Sequence, residues 1–461
     1  MPTTPSASDG GVPGETTGAV TGPSPSPTSG HPGRVGTFAS LSIPTYRLLF
    51  WSGAASFFAV QAQFVTRGWL ANELTGSNTG LGGVYMAFGV PMLLATPLGG
   101  VVADRFSKRT ILIWTQIAFI ASALWIGLGE QFGFVQYWML LVTSAVQAVG
   151  FSFLAPARMA MTSEVVGRGL LTNAIVLGQM SMNATRVVGP ALAGMAIGVA
   201  WFGVAGVYYA AAAISALALF MLLPLPAGRA EQIGPRNSPW RDFSDGLSYV
   251  RSHRRVGLLI MVSFVVVMVA FPYVAFLPRV ATELFDVGST GYGMLSAVSA
   301  VGAVLVSLMV ARISSASATW TTQIITGAGF GLGVLALAVA PSFALALCAS
   351  ALIGGAASGF QAVNNSLVLG LSAPEYHGRM QSLMMLSFSG FGMAALPLGM
   401  LADAIGLRTT LSLMGVVTLV AIGCYLLLRP RQDRAFGAAA RADYRAEYEP
   451  ETAGPTPTRP R

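Results

Sequence analysis

The chain has 461 residues, of which 54% are hydrophobic and only 10% charged, with mean hydropathy +0.65 and a formal net charge of +8. Soluble proteins carry roughly 25% charged residues, so this chain lacks the charged skin that a water-soluble body needs, and lipid must be part of its solvent. The positive charge is spread along the chain and nearly all arginine, which argues against a nucleic-acid partner; Lys108 is the single lysine, and its neighbours Phe106, Ser107 and Arg109 build no phosphate loop. No hydrolase triad, metal cluster or cofactor motif stands out, so neither an enzyme nor a cofactor is expected. Cys348 and Cys424, far apart in apolar segments, read as buried small hydrophobes rather than a disulfide.

In chain order, residues 1–42 are rich in Pro, Gly, Ser and Thr and cannot bury enough surface to fold. They lack a basic start followed by an apolar core, so they are not read as a signal peptide. Apolar stretches follow at about 47–71, 80–102, 110–129, 135–157, 170–199, 203–224, 256–278, 290–311, 320–340, 343–371, 380–402 and 408–428. Crossing a ~30 Å hydrocarbon core takes about 20 helical residues, and backbone groups in lipid must find partners within their own segment. The expected fold is therefore an all-α integral membrane protein of about twelve transmembrane helices.

Basic residues near helix ends orient it. With the N-terminus cytoplasmic, arginines from Arg47 and Arg105 to Arg429 and Arg431 fall on the cytoplasmic side, and only Arg279 and Arg408 on the other. Both termini are then inside a cell membrane. The stretch 225–255 divides a six-helix half at 43–224 from a second at 256–428, and a polar tail occupies 429–461. Within the connection, Ser238-Pro239-Trp240 is a helix start, and Trp240, Phe243, Leu247 and Val250 recur at helical spacing. This predicts an amphipathic helix in the membrane interface. An echo relates the halves: Ser163-Glu164-Val165-Val166-Gly167-Arg168 precedes span five, and Pro374-Glu375-Tyr376-His377-Gly378-Arg379 precedes span eleven.

Between spans two and three stands Gly100-Val101-Val102-Ala103-Asp104-Arg105-Phe106-Ser107-Lys108-Arg109. It resembles the G-x-x-x-D-R-x-G-x-[RK] signature of the major facilitator superfamily. Trp69-Leu70, Leu74-Thr75-Gly76-Ser77, Pro156-Ala157-Arg158 and Asn183-Ala184-Thr185-Arg186-Val187-Val188-Gly189-Pro190 add a resemblance to its proton-coupled exporters of the enterobactin and macrolide efflux kind. The resemblance spans about residues 45–428. It implies two pseudo-symmetric six-helix bundles, transport by alternating access, a monomer in the bilayer, a small-molecule substrate and the proton gradient as energy source. It also implies that Gly100, Asp104, Arg105 and Arg109 latch one end of the cavity. Two departures stand out. Ser107 occupies the signature's second glycine position, and Gly189-Pro190 matches the exporters' longer glycine repeat only in part.

Ionisable groups inside a membrane are costly and tend to be functional. Arg67 and Arg186 are the clear cases. Gln63 and Arg67 share a face of span one; Gln179, Asn183 and Arg186 form a polar stripe on span five; Gln361 and Asn365 form another on span ten, and Gln147 lies within span four. These are the candidate cavity residues, by analogy with the family's cavity-lining helices. No Asp or Glu lies mid-span, so the candidates for proton coupling are the rim acids Asp104, Glu73 and Asp403. A basic cavity would instead select an anionic substrate through Arg67 and Arg186. Pro272 and Pro278 should break span seven, and Gly327, Gly329, Gly331 and Gly333 should serve close helix packing. The readings compared are a proton-coupled exporter of amphipathic small molecules (antibiotic, siderophore or metabolite), an importer or uniporter of an anionic nutrient, and a non-transporting sensor or assembly protein.

Overall fold

The computed structural model describes residues 38–167, 169–227, 239–310, 316–373 and 376–428. The first half comprises α1 (Pro44–Thr75), α2 (Asn78–Arg105), α3 (Lys108–Gln131), α4 (Tyr137–Val166), α5 (Leu171–Ile197) and α6 (Gly203–Leu222). A short helix, α7 (Pro239–Ser252), follows. The second half comprises α8 (Arg254–Val269), α9 (Tyr273–Arg279), α10 (Gly288–Val310), α11 (Ala316–Val339), α12 (Phe343–Leu371), α13 (His377–Ile405) and α14 (Leu407–Leu428). With α8, α9 and the π turn Val280–Leu284 taken as one crossing, twelve crossings result among the described residues.

Local chemistry sets the breaks. Gly76, at φ 56°, closes α1 in a left-handed conformation, and the Ser77 hydroxyl then accepts the Gly80 amide at 2.9 Å to start α2. Ser107 accepts the Thr110 amide at 3.2 Å and caps α3, with φ −61° and ψ 135°. The position where the family signature carries glycine is thus a helix cap that needs no positive φ. Pro272 ends the α8 ladder, and Pro278, inside α9, precedes the π turn.

Ten of the crossings are long and apolar enough, by length and composition, to span a membrane. Between the halves, α5 packs on α10, and α13 on α2. In α11, Gly327 and Gly331 meet α14 at Ile422 and Leu419, while Gly333 meets Ile353 of α12. The glycine series is a packing surface. Cys348 and Cys424 are free thiols on exposed helix faces, which corrects the expectation that they are buried; an apolar side chain facing lipid satisfies hydropathy as well as one in a core.

The described part of α7 is tied to the second half. Gly246 sits against Arg379 and Leu383 of α13, and Tyr249 stacks between His253 and Tyr376 at ring separations of 3.9 and 4.1 Å. Its hydroxyl accepts the Ala373 amide at 3.1 Å. The side chains of Trp240 and Phe243, and residues 1–37 and 429–461, lie outside the described residues.

Candidate functional site

Among the described residues, the two halves approach each other tightly toward one end. At the end where α1 finishes and α2 begins, α2 and α13 approach through glycines: a Cβ on Gly89 would lie 2.8 Å from the Gly392 Cα, and Gly399 abuts the Asn78 backbone. On the other side of the seam, a Cβ on Gly293 of α10 would stand 2.5 Å from the carbonyl carbon of Gly194 in α5. Such distances exclude side chains and let the backbones close.

Polar and aromatic contacts reinforce the same end. The Asp403 carboxylate accepts hydrogen bonds from the Asn78 and Thr79 amides at 2.9 Å each, from Asn78 Nδ2 at 2.9 Å and from the Thr79 hydroxyl at 2.6 Å. The first two residues of α2 therefore cap onto the last turn of α13. Asn72 Nδ2 donates to the Thr282 hydroxyl at 3.4 Å, and the Tyr292 hydroxyl donates to the Val65 carbonyl at 3.2 Å. The Trp69 ring stacks on Tyr292 with centroids 5.7 Å apart and planes 17° apart, and the Trp69 indole donates to Glu73 at 2.7 Å. These hydrogen bonds all join the two halves.

Nothing lies within 4 Å of a Cβ placed on Gly178 in α5. On the same stretch Gln179, Asn183 and Arg186 are exposed on one face. On α12, Gln361 and Asn365 are half-buried, each with its side-chain oxygen left without a hydrogen bond; Ser358 next to them bonds Ser307 of α10 at 2.7 Å.

Arg67, Gln63 and Gln147 are all buried, with Arg67 1% exposed. Arg67 Nη1 donates to the Ser144 hydroxyl and to Gln147 Oε1, at 3.1 Å each. Tyr208 also faces Arg67, while both side-chain polar atoms of Gln63, Gln147 Nε2 and the Tyr85 hydroxyl make no hydrogen bond with other protein atoms. Tyr85, Ser144 and Tyr208, all near Arg67, are residues that hydropathy could not single out, because Tyr and Ser occur at many core positions.

The second half holds its own polar core: Gln323 donates to Asn364 Oδ1 at 2.8 Å and accepts from the Tyr425 hydroxyl at 3.1 Å. Sequence reasoning passed over these residues. Glutamine and asparagine a turn from other amides are common, and only the meeting of α11, α12 and α14 selects this group.

Gly100 and Asp104 of the signature lie outside the residues described at side-chain level, and Arg105 is exposed. Arg109 donates to the Leu223 carbonyl, tying α3 to the end of α6. Lys108, 5% exposed, pairs with Glu164 in the last turn of α4. Arg158 donates to the Leu49 carbonyl at 2.8 Å and fits because Gly53 has no side chain. These basic residues bind the first half together at the end away from Asp403. Among the described residues no group of His, Cys, Asp and Glu could hold a metal ion.

Known proteins resemble the chain as a whole. It is 21% identical over 332 residues to the staphyloferrin A transporter of Staphylococcus aureus, covering 72% of this chain and 82% of that protein. It is 22% identical to macrolide efflux protein A of Streptococcus pyogenes over 77% of this chain and 89% of the relative. The multidrug efflux pump Tap of Mycobacterium tuberculosis is 25% identical, with coverages of 74% and 83%. In fold, the nucleoside transporter NupG superposes with a TM-score of 0.66 at 13% identity, over 83% of this chain and 98% of that one. A bacterial homologue of the human lysosomal transporter Spinster, in an inward-facing and unoccupied conformation, superposes with a TM-score of 0.67 at 15% identity, over 84% and 96%. The family described as transmembrane secretion effector matches residues 35–449. The chain is a multi-pass membrane transporter of the major facilitator superfamily and belongs to its transmembrane secretion effector family.

Proposed function

We propose that the protein is a secondary active exporter, working by alternating access and driven by the proton gradient, that removes amphipathic small molecules such as an antibiotic, a siderophore or a metabolite. The observation that carries this reading is the asymmetry of the seam. Asp403 and Tyr292 tie the halves together at one end, and on α5 the polar stripe Gln179, Asn183 and Arg186 is exposed toward the other. With the orientation given by the arginines, both termini are cytoplasmic, the sealed end faces outward, and the substrate path opens to the cytoplasm of a bacterial cell membrane. A solute then enters from inside, and rocking of the two halves about the seam releases it outside. The efflux names of two relatives support this direction over import.

The rim acids divide by position. Asp403 holds the outer seam closed and, lying at the outer edge of its helix, exchanges protons with the outside; it acts as a latch. Glu73, tied to Trp69 and so to the stack on Tyr292, is placed to open that seam when it takes up a proton. Asp104, with Arg105 and Arg109, latches the cytoplasmic end when the cavity faces outward. The test is deletion of the gene followed by a survey of retained compounds. At least one amphipathic compound is expected to accumulate, and its efflux from reconstituted vesicles to slow when the pH gradient is collapsed. A deletion strain that accumulates nothing, under full expression of the parent, rejects the export reading.

A further inference from the structure

An exposed face of the second half carries a groove of about 350 Å³ between the end of α11 and the start of α12. Ala336, Ala340 and Ala349, buried or half-buried, line it together with the exposed Val339, Leu345 and Leu352. Small side chains thus sink the surface between larger ones. On α12 the lining residues Leu345, Cys348, Ala349 and Leu352 stand at i, i+3, i+4 and i+7, one face of a helix. From Leu345 to Leu352 is about 10 Å at 1.5 Å per residue, most of the ~15 Å that one leaflet of a ~30 Å hydrocarbon core provides.

The width of the groove selects its occupant. Its volume over about 10 Å gives a cross-section of roughly 35 Å², against roughly 80 Å² for a helix about 10 Å across. A single hydrocarbon chain fits, and a partner helix does not. Every lining side chain is apolar or, for Cys348, a thiol that behaves as a small hydrophobe. Left unfilled, such a groove forfeits dispersion contacts along both walls.

A cation stands at its end. Arg408 Nη1 donates to the carbonyls of Ala338 and Ala340 at 2.9 and 3.1 Å, which fixes the guanidinium on the last turn of α11, beside a residue that lines the groove. The side chain is exposed, its Cζ lies 5.8 Å from the centre of the Phe285 ring, and its Nε and Nη2 make no hydrogen bond among the described residues. That edge of a guanidinium offers the two parallel donors that match a phosphate. The other arginine at this end, Arg279, is paired with Glu283 at 2.7 Å. Glu73, Glu130, Asp286 and Asp403 also stand at this end, so bulk charge there gathers no anions and a phosphate must be held by a specific contact.

We infer that the groove and Arg408 form a phospholipid site: the Nε and Nη2 edge of Arg408 takes the phosphate, and one acyl chain of the same lipid fills the groove between α11 and α12. The site goes beyond the export reading and stands whichever way the protein transports.

The test is native mass spectrometry of the full chain, released from micelles that hold equal amounts of dioleoylphosphatidylglycerol and monoglucosyl dioleoylglycerol. The two lipids share their chains and differ in the phosphate. The wild type is expected to retain the phospholipid about tenfold more often than the glycolipid, the ratio that one good ionic contact supports. Arg408→Lys should keep part of that preference, since it keeps the charge, and Arg408→Gln should lower it about fivefold or more. Arg47→Gln removes an exposed arginine at the opposite end and should leave the ratio unchanged. Cys348→Phe fills the groove without touching Arg408 and should cut retention of both lipids severalfold, with every variant monodisperse on size exclusion. Equal retention of the two lipids by the wild type overturns the inference. So does an unchanged ratio in Arg408→Gln, an equal fall in Arg47→Gln, or unchanged retention in Cys348→Phe.

Discussion

The carboxylate of Asp403 reaches across the seam to Asn78, 325 positions earlier in the chain, and holds the first turn of α2 against the last turn of α13. A carboxylate at the end of its own helix opposes that helix's dipole, whereas at the start of a neighbouring helix it meets a positive end. With the halves joined as here, Asp403 sits in the second environment. The bond therefore favours one conformation over the other, which is what a latch in a two-state transporter requires.

Asp403→Asn keeps the shape and removes the charge. Hydrogen bonds to a charged group are worth about 1.5–3 kcal/mol, discounted here because the carboxylate is exposed, so the closed state should lose about tenfold in population. Spin labels placed on the two halves at the sealed end, with distances measured by electron resonance, would show a longer-distance population appear. No change in the distribution would mean that Asp403 is not a latch.

A side chain at the glycine seam should hold it open. In Gly293→Ala the new Cβ would stand 2.5 Å from the backbone of Gly194, and backbone cannot yield as a flexible side chain does. The halves are expected to stay parted at that end, cutting export about tenfold or more while each half remains folded. Gly178→Ala, where nothing lies within 4 Å, is the matched control and should export normally.

Arg67→Met should separate function from packing. A buried cation is expensive, and replacing buried charge by an apolar side chain of similar volume is often neutral or stabilising. The melting temperature in detergent should hold or rise, while transport falls severalfold if the cluster of Arg67, Gln63 and Gln147 takes part in the cycle. A lower melting temperature with normal transport would reduce Arg67 to a structural tie between α1 and α4.

Ser107 offers a check on the loop signature. Ser107→Ala removes the cap of α3 and should cost about 1 kcal/mol, while Ser107→Gly should cost only a few tenths. The ordering of the two melting temperatures tests whether this position serves as a cap rather than as a flexible turn.

Much of the fold was legible because its causes are local. Hydropathy over 20 residues marks a crossing, and Pro272 and Pro278 break a ladder wherever they stand. The spacing of Gln179, Asn183 and Arg186 puts them on one face of any helix. The site was legible only in part. The same periodicity that groups Gln63 with Arg67 says nothing of what they face, and the structure buries both.

By itself, then, the sequence determined that the chain spans a membrane many times, which residues share a helix face, and that its mid-membrane charge is positive and not negative. Those are properties of short windows and of composition, which no packing can reverse. Only the tertiary structure decided that Asp403 meets Asn78, that Tyr292 meets Val65, and that of two intramembrane arginines Arg186 is accessible and Arg67 is not. Such pairings join helices from different halves or different depths, and helical periodicity fixes a direction around an axis without fixing the neighbour that stands there.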